Sequence, residues 1–322
     1  MATTLTTRPL STQPLTELLF QAGLLAGLGP RADLLASTAG LINAPEKASI
    51  TGRQKSCISA GNSLILSLRA PGSRCLRIAQ QIEDTQRWIH THYSPSPALN
   101  NRPERWLTEF FLAKPPVSNA ASPNGLSSST IPSDTGPNSY APWAKALSFA
   151  RTLNAETRAQ QYHKKLGCRS HLLSFSQRLD SNPGGWITWR LNKHYSPAAA
   201  LADCEASWAW PVAAQHFQTL LGRSISKYCR PWSLAVNISD SQPRFRLGTT
   251  VWARQPESTE KHRRLADTVE QMGGDSRFSE ALYKLIAAPH PAGITSRIGR
   301  AAEIEFYDGQ AVSMEFFLCV AT

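Results

Sequence analysis

Apolar and polar residues alternate with a period of two in some stretches of the chain and follow a helical period in others. The exchange between the two organises the second half of the sequence. HLLSFSQRLDSNPGGWITWRLNKHY holds two β-prone runs around the turn residues Asn182-Pro183-Gly184-Gly185. Ser196-Pro197 then supplies an N-cap and a first-turn proline, which predicts a helix through the Ala-rich stretch and a second from Pro211 to Gly222. The order recurs further on: WSLAVNIS and RFRLGTTVWAR flank a turn at Asp240-Ser241-Gln242-Pro243. A helix from near Pro256 buries Leu265, Val269 and Met272 before Gly273-Gly274, and another from Asp275 or Ser276 aligns Phe278, Leu282 and Ile286. AAEIEFY and AVSMEFFLCVA around Asp308-Gly309 form the last hairpin, and a helix over Pro142 to Leu166 precedes the first of the three.

Before this region the periodicity predicts helices over Leu15–Leu28 and Arg31–Ile42, broken at Gly29-Pro30, then two short strands around Ala60-Gly61-Asn62. Arg74–His92 reads as a helix carrying Ile78, Ile82 and Ile89, and Pro103–Lys114 as another opening on its proline. Lys114–Asn138 is so rich in Pro, Ser, Asn and Gly that it cannot offset its ordering entropy by burial, which marks a linker or disordered insertion. Four strand pairs and three following helix pairs result. The expected fold is α+β, an antiparallel sheet or barrel of repeated ββαα units with helices packed on one face. The expected divisions are 1–113, a helical segment plus a first ββαα unit; 114–141, the linker; and 142–322, the repeat domain, which forms one interrupted domain with 48–113 if the repeat starts early.

Side chains alternate across a strand, so each hairpin divides into two faces. Phe245, Leu247, Thr249, Val251 and Ala253 share one face, with Arg244, Arg246, Thr250, Trp252 and Arg254 on the other. Ile187, Trp189 and Leu191 oppose Trp186, Thr188, Arg190 and Asn192; Leu173 and Phe175 oppose Ser174, Ser176 and Arg178; Ala302, Ile304 and Phe306 oppose Glu303, Glu305 and Tyr307. The apolar faces are where amphipathic helices bury their stripes, leaving the other faces rich in arginine and aromatics. An antiparallel sheet covered on one side commonly shows water such a mixed face. Arg178, Arg190, Arg244 and Arg246 recur in successive hairpins, however, as an anion site requires, and Trp186 and Trp252 offer flat surfaces for stacking.

The charge balance agrees with an anionic partner. Thirty-four Lys and Arg against 23 Asp and Glu give a net charge of +11, with the basic residues scattered. The 322 residues, 41% hydrophobic, bury a core without disulfides or metals, and the six cysteines form no C-x-x-C pair or Cys/His cluster. No metal and no cofactor is expected. Leu18–Leu28 is too short to span a bilayer and has no basic run before it, so the chain is expected to be cytoplasmic with no membrane span. Nucleophile-elbow, P-loop, Rossmann and H-E-x-x-H motifs are absent, and His90 and His92 would point apart on the helix expected there.

Repeated ββαα units with polar strand faces inside and helices outside resemble the antiparallel barrel of the ABBA-type aromatic prenyltransferases, whose lumen binds an isoprenoid diphosphate beside an aromatic acceptor. The resemblance implies a metal-independent transferase, consistent with the lack of an Asp-rich DDxxD motif. It implies that Arg178, Arg190, Arg244 and Arg246 hold the diphosphate and that Trp186, Trp252 and Tyr307 shield an allylic carbocation. Glu303 or Glu305 would then orient or deprotonate the acceptor. If the sheet stays open, its basic, aromatic face suits single-stranded RNA instead, with Lys261, Arg263 and Arg264 adding charge. An assembly factor contacting a protein partner through the N-terminal helices is the third reading.

Overall fold

In a computed structural model of the chain, the described residues are 64–70, 75–81, 87–93, 104–111, 140–180, 184–221, 232–249, 259–274 and 295–321. The strands are β1 (Leu64–Ala70), β2 (Cys75–Gln81), β3 (Arg87–Tyr93) and β4 (Glu104–Phe110) before the long linker. After it come helices α1 (Tyr140–Thr152) and α2 (Glu156–Leu166), strands β5 (Ser170–Arg178) and β6 (Gly185–Leu191), and helices α3 (Pro197–Asp203) and α4 (Ala209–Leu221). Strands β7 (Trp232–Asn237) and β8 (Arg244–Thr249), helix α5 (Thr259–Gln271), and strands β9 (Thr295–Tyr307) and β10 (Gln310–Ala321) complete the described chain. Each strand pairs antiparallel with its sequence neighbours, and β1 pairs with β10, closing a ten-stranded barrel.

The barrel corrects the reading of residues 74–114. Arg74–His92 and Pro103–Lys114 are not helices: Cys75–Gln81, Arg87–Tyr93 and Glu104–Phe110 are strands. Among the described residues five hairpins replace the four expected, and β3 is the next described element after the first hairpin. Ile78, Ile82 and Ile89 fit a helical period, but RWIHTHY and ERWLTEF alternate equally well at period two and carry aromatic and β-branched residues. Pairing of β2 with β1, of β3 with β2 and β4, and of β4 with β5 across the linker decides between them, because tertiary pairing outweighs local propensity. The helix expected over Pro142–Leu166 is two, α1 and α2, separated around Asn154 with its left-handed φ of 54°. Of the two strands expected around Ala60-Gly61-Asn62, the first lies outside the described residues. So do the helices before residue 43 and the one carrying Phe278, Leu282 and Ile286.

Local signals survive where the chain turns. Ser196 accepts a hydrogen bond from the Ala199 amide, with Pro197 in the first turn of α3. Asp308 and Gly309 both take positive φ, 48° and 78°, as a two-residue hairpin with the strands' twist demands. In the β7–β8 turn, Asn237 Oδ1 accepts from the amides of Ser239 and Asp240, while Arg158 of α2 donates to the carbonyls of Ile238 and Asp240.

The helices cover the apolar outer face of β5–β9. Ile187, Trp189, Leu234, Val236, Phe245, Leu247, Ile304 and Phe306 are buried there with Ala159 and Leu166 of α2, Leu201 of α3, Phe217 of α4 and Leu265 of α5. Phe217 meets Trp232 edge-on at 5.2 Å, and Trp208 meets Phe306 at 5.9 Å. No helix among the described residues is long and apolar enough to cross a membrane.

Two substitutions test this packing. Phe306→Ala removes a fully buried ring and should cost about 3–5 kcal/mol in urea unfolding. Gly185→Ala places a Cβ 2.4 Å from Leu153 Cδ1 and 2.7 Å from Phe149 Cζ, for a cost of about 1–3 kcal/mol. A negligible loss from Phe306→Ala would contradict the assignment of the outer face as core.

Candidate functional site

Because the strands are in register, one face of each forms a continuous inner wall. One ladder runs Trp88, Thr108, Ser176, Trp186, Asn237. A second runs Ser174, Thr188, Ala235, Arg246, Glu305, Ser313. A third runs Arg190, Ser233, Gly248, Glu303, Glu315, Arg69. Barrel diameter grows with strand number, so a ring of ten strands is wider than the eight-stranded barrels whose interiors side chains fill or that hold one small ligand.

The sequence-derived candidates on described residues all stand on this inner face: Arg178, Trp186, Arg190, Arg244, Arg246, Glu303, Glu305 and Tyr307. Trp252 lies outside the described residues. The arginines are not gathered at one point. Arg178 stands across from Gly184 at the turn end of the β5–β6 hairpin, where it pairs with Glu104 at 3.2 Å and Asp180 at 2.6 Å. Arg190 lies six residues further along, roughly 20 Å away at the rise of a strand. One diphosphate cannot bridge that separation.

Arg246 and Arg244 converge instead on Glu305. Arg246 Nε lies 3.0 Å from Glu305 Oε2, and its guanidinium stacks 3.9 Å above the centroid of Trp186. Arg244 reaches the same carboxylate at 3.9 Å and Asp240 at 3.3 Å, and lies 4.3 Å over the Tyr307 ring. Arg190 has no hydrogen-bond or ion-pair partner among the described residues. Arg190 and Arg246 are two strands apart, about 10 Å sideways and about 7 Å along the wall, a separation that two arginine side chains close onto one anion.

The segments expected to be helical contribute inner-face residues that sequence reasoning missed. In strand β3, His90 and His92 sit two apart and face the same way, with Trp88 beside them, where a helix would have splayed them. Arg77 of β2 pairs with Glu315 of β10 at 3.3 Å, and His92 stacks on Trp106 at 6.1 Å. The legible signal was the alternation of Trp88, His90 and His92 itself.

Glu303 has no hydrogen-bond or ion-pair partner among the described residues. Burial pushes its carboxyl above the ordinary range, with Glu315 and Glu305 adding to the effect against the pull of Arg246 and Arg77. Glu303 as a whole residue is half-buried. His90 is buried, and neither ring nitrogen has a hydrogen-bond partner among the described residues. Burial, then the charges of Arg77 and Arg246, hold its imidazole well below the usual range, and Glu315 only partly offsets them. The lumen thus presents guanidinium groups, flat aromatic faces, a carboxyl inclined to stay protonated and a neutral imidazole. No cluster of three metal-ligating side chains occurs among the described residues.

No protein-family model and no curated protein matches the chain. Solved structures do. The 6-dimethylallyltryptophan synthase of Micromonospora olivasterospora, solved with DMASPP and Trp, aligns over 97% of this chain and 98% of its own at TM-score 0.64 and 12% identity. The 5-dimethylallyltryptophan synthase of Streptomyces coelicolor aligns over 95% and 96% at TM-score 0.63 and 14% identity. AnaPT of Neosartorya fischeri aligns over 98% and 95% at TM-score 0.65 and 9% identity. At these identities the likeness concerns the fold, and with the closed ten-stranded barrel it gives the chain the fold of the ABBA-type aromatic prenyltransferases.

Proposed function

We propose that the chain is an aromatic prenyltransferase that moves an isoprenoid group from an allylic diphosphate to an aromatic acceptor inside the barrel, without a metal ion. The observation that carries this is the closed inner wall on which Arg246, Arg190 and Arg77 stand with Trp186, Tyr307 and Glu303. Closure also removes the open platform on which a single-stranded RNA reading depended.

In this mechanism Arg190 and Arg246 bind the diphosphate, which draws Arg246 partly away from Glu305; Arg77 adds charge from the far wall. Guanidinium donors stabilise the negative charge that builds as the allylic C–O bond breaks. The faces of Trp186 and Tyr307 shield the allylic cation from water, and Trp252, outside the described residues, is assigned to the same role from the alternation of its sequence. Arg178 and Arg244, already engaged by rim carboxylates, order the mouth of the barrel. Glu303, whose carboxyl burial inclines toward the protonated form, gives the acceptor a hydrogen-bonding partner and so orients it. Glu305 positions the two arginines that flank it.

The ββαα order then serves as a building rule for the second half of the wall, with α3 and α4 after the third hairpin and α5 opening the pair after the fourth. Residues 48–113 and 142–322 act as one interrupted domain.

Incubation with dimethylallyl diphosphate and a panel of indoles and phenols should give an acceptor heavier by one prenyl unit, with diphosphate released, and a chelator should leave the rate unchanged. Absence of product and of diphosphate release across the panel would contradict the assignment. Glu303→Gln should lower turnover about 100-fold. The same change should raise the melting temperature near pH 7. An acid whose folded pKa is raised contributes stability below its unfolded pKa and loses it as pH rises through the folded value. Removing the charge therefore helps at neutral pH, and the difference should vanish near pH 4. A melting temperature lowered at pH 7 would contradict the strained carboxyl.

A further inference from the structure

His90 has no role in the mechanism so far. It is about 93% buried (7% exposed), it stands on the inner wall between Ala79 and Trp106, and both ring nitrogens lack a partner among the described residues. An imidazole has one nitrogen that donates and one that accepts when neutral, and burying both unpaired costs on the order of 1–3 kcal/mol each. Such a group is retained most simply where a ligand completes it.

Its surroundings define what that ligand does. Strand β3 is five strands from β8 in a ring of ten, so His90 looks across the lumen toward the wall that carries Arg246. The charged groups facing it are Arg77 of β2, Glu315 of β10 and Arg246 of β8. The carboxylates on this stretch of wall are occupied: Glu305 holds Arg246 and Arg244, and Glu315 holds Arg77. Glu303 tends to keep its own proton. Among these groups the imidazole is the basic site not already neutralised by a cation. Arg77 and Arg246, whose charges act on it, are also side chains that an incoming diphosphate draws toward itself, which weakens their effect on the imidazole as the substrate arrives.

We propose that His90 is the base that removes the acceptor's ring proton after the new carbon–carbon bond has formed. This rests on the prenyl-transfer reading above. The allylic C–O bond breaks with its electron pair leaving on the diphosphate, and a π pair of the aromatic ring forms the bond to the allylic carbon. The resulting arenium ion then gives the proton of the substituted carbon to the free ring nitrogen of His90, and the C–H pair restores aromaticity. A weak base suffices because an arenium proton is strongly acidic. The imidazolium is disfavoured between Arg77 and Arg246, so the proton passes to the diphosphate product, whose charge draws it, and His90 is neutral for the next cycle.

The test uses dimethylallyl diphosphate with L-tryptophan, unlabelled and deuterated on the indole ring. Wild-type enzyme should show a ring-deuterium effect on kcat near 1. His90→Gln, similar in size but not basic, should lose about 100-fold in kcat with dimethylallyl diphosphate binding and near-ultraviolet circular dichroism unchanged, and its deuterium effect should rise above about 2. His90→Ala should behave likewise and recover at least tenfold with added imidazole. A purely structural role would move neither the isotope effect nor the imidazole response. Full turnover by His90→Gln, or a loss with an isotope effect still near 1 and no rescue of His90→Ala, overturns the base while leaving prenyl transfer standing. No prenylated product from the wild type with L-tryptophan or any acceptor of the indole and phenol panel overturns both.

Discussion

An open antiparallel sheet has two edges with unpaired backbone groups, and in this chain those edges belong to strands more than two hundred residues apart. The pairing of β1 with β10, from Ile65 opposite Cys319 to Ala70 opposite Met314, joins them and turns a curved sheet into a wall around a lumen. Every feature of the candidate site follows from that closure. Only in a closed ring does Arg246 of β8 share a space with His90 of β3, and only there does Arg77 find Glu315 across the β1 strand between them. The contact is non-local, so its loop-closure entropy is offset only when the whole ring forms.

The two faces of the wall answer to different demands. The outer face of β5–β9 is apolar and close-packed against helices. It supplies stability, and it fixes the β7–β8 turn through Arg158 and so the direction of the strand that carries Arg244 and Arg246. The inner face carries guanidinium and carboxylate groups in ion pairs that are well shielded, 14% and 8% exposed for Arg246 and Glu305. Desolvating such groups is expensive, and the pairs offset that cost only while both members are present. In the proposed function an anionic ligand takes over one member of each pair, so that the same network serves as the binding device. Glu303 and His90 have no hydrogen-bond partner among the described residues, and both face the lumen.

Splitting β6, β8 and β9 by alternation assigned their inner and outer residues correctly, because period two is unambiguous where β-branched and aromatic residues dominate, as in GWITWRL and AEIEFY. The turn at Asp308-Gly309 and the cap at Ser196 were equally legible, since each is a local device. Residues 74–114 were not. Ile78, Ile82 and Ile89 satisfy a helical period by coincidence of spacing, and nothing local in RCLRIAQQIEDTQRWIHTH says that β1 waits to pair with it. That single misassignment hid Arg77, Trp88, His90, His92 and Trp106, on three of the ten strands of the wall. It also made the four arginines look like one cluster, when axial position along the strands separates Arg178 from Arg190.

Central to this account is that the diphosphate binds within the lumen at Arg246 rather than at the rim. Calorimetric titration of dimethylallyl thiolodiphosphate into the wild type, Arg246→Ala and Arg178→Ala measures this directly. One site per chain is expected, weakened about tenfold to a hundredfold by Arg246→Ala, the cost of a lost charge-assisted contact, and unaffected by Arg178→Ala. Equal weakening by both substitutions, or by Arg178→Ala alone, would contradict it.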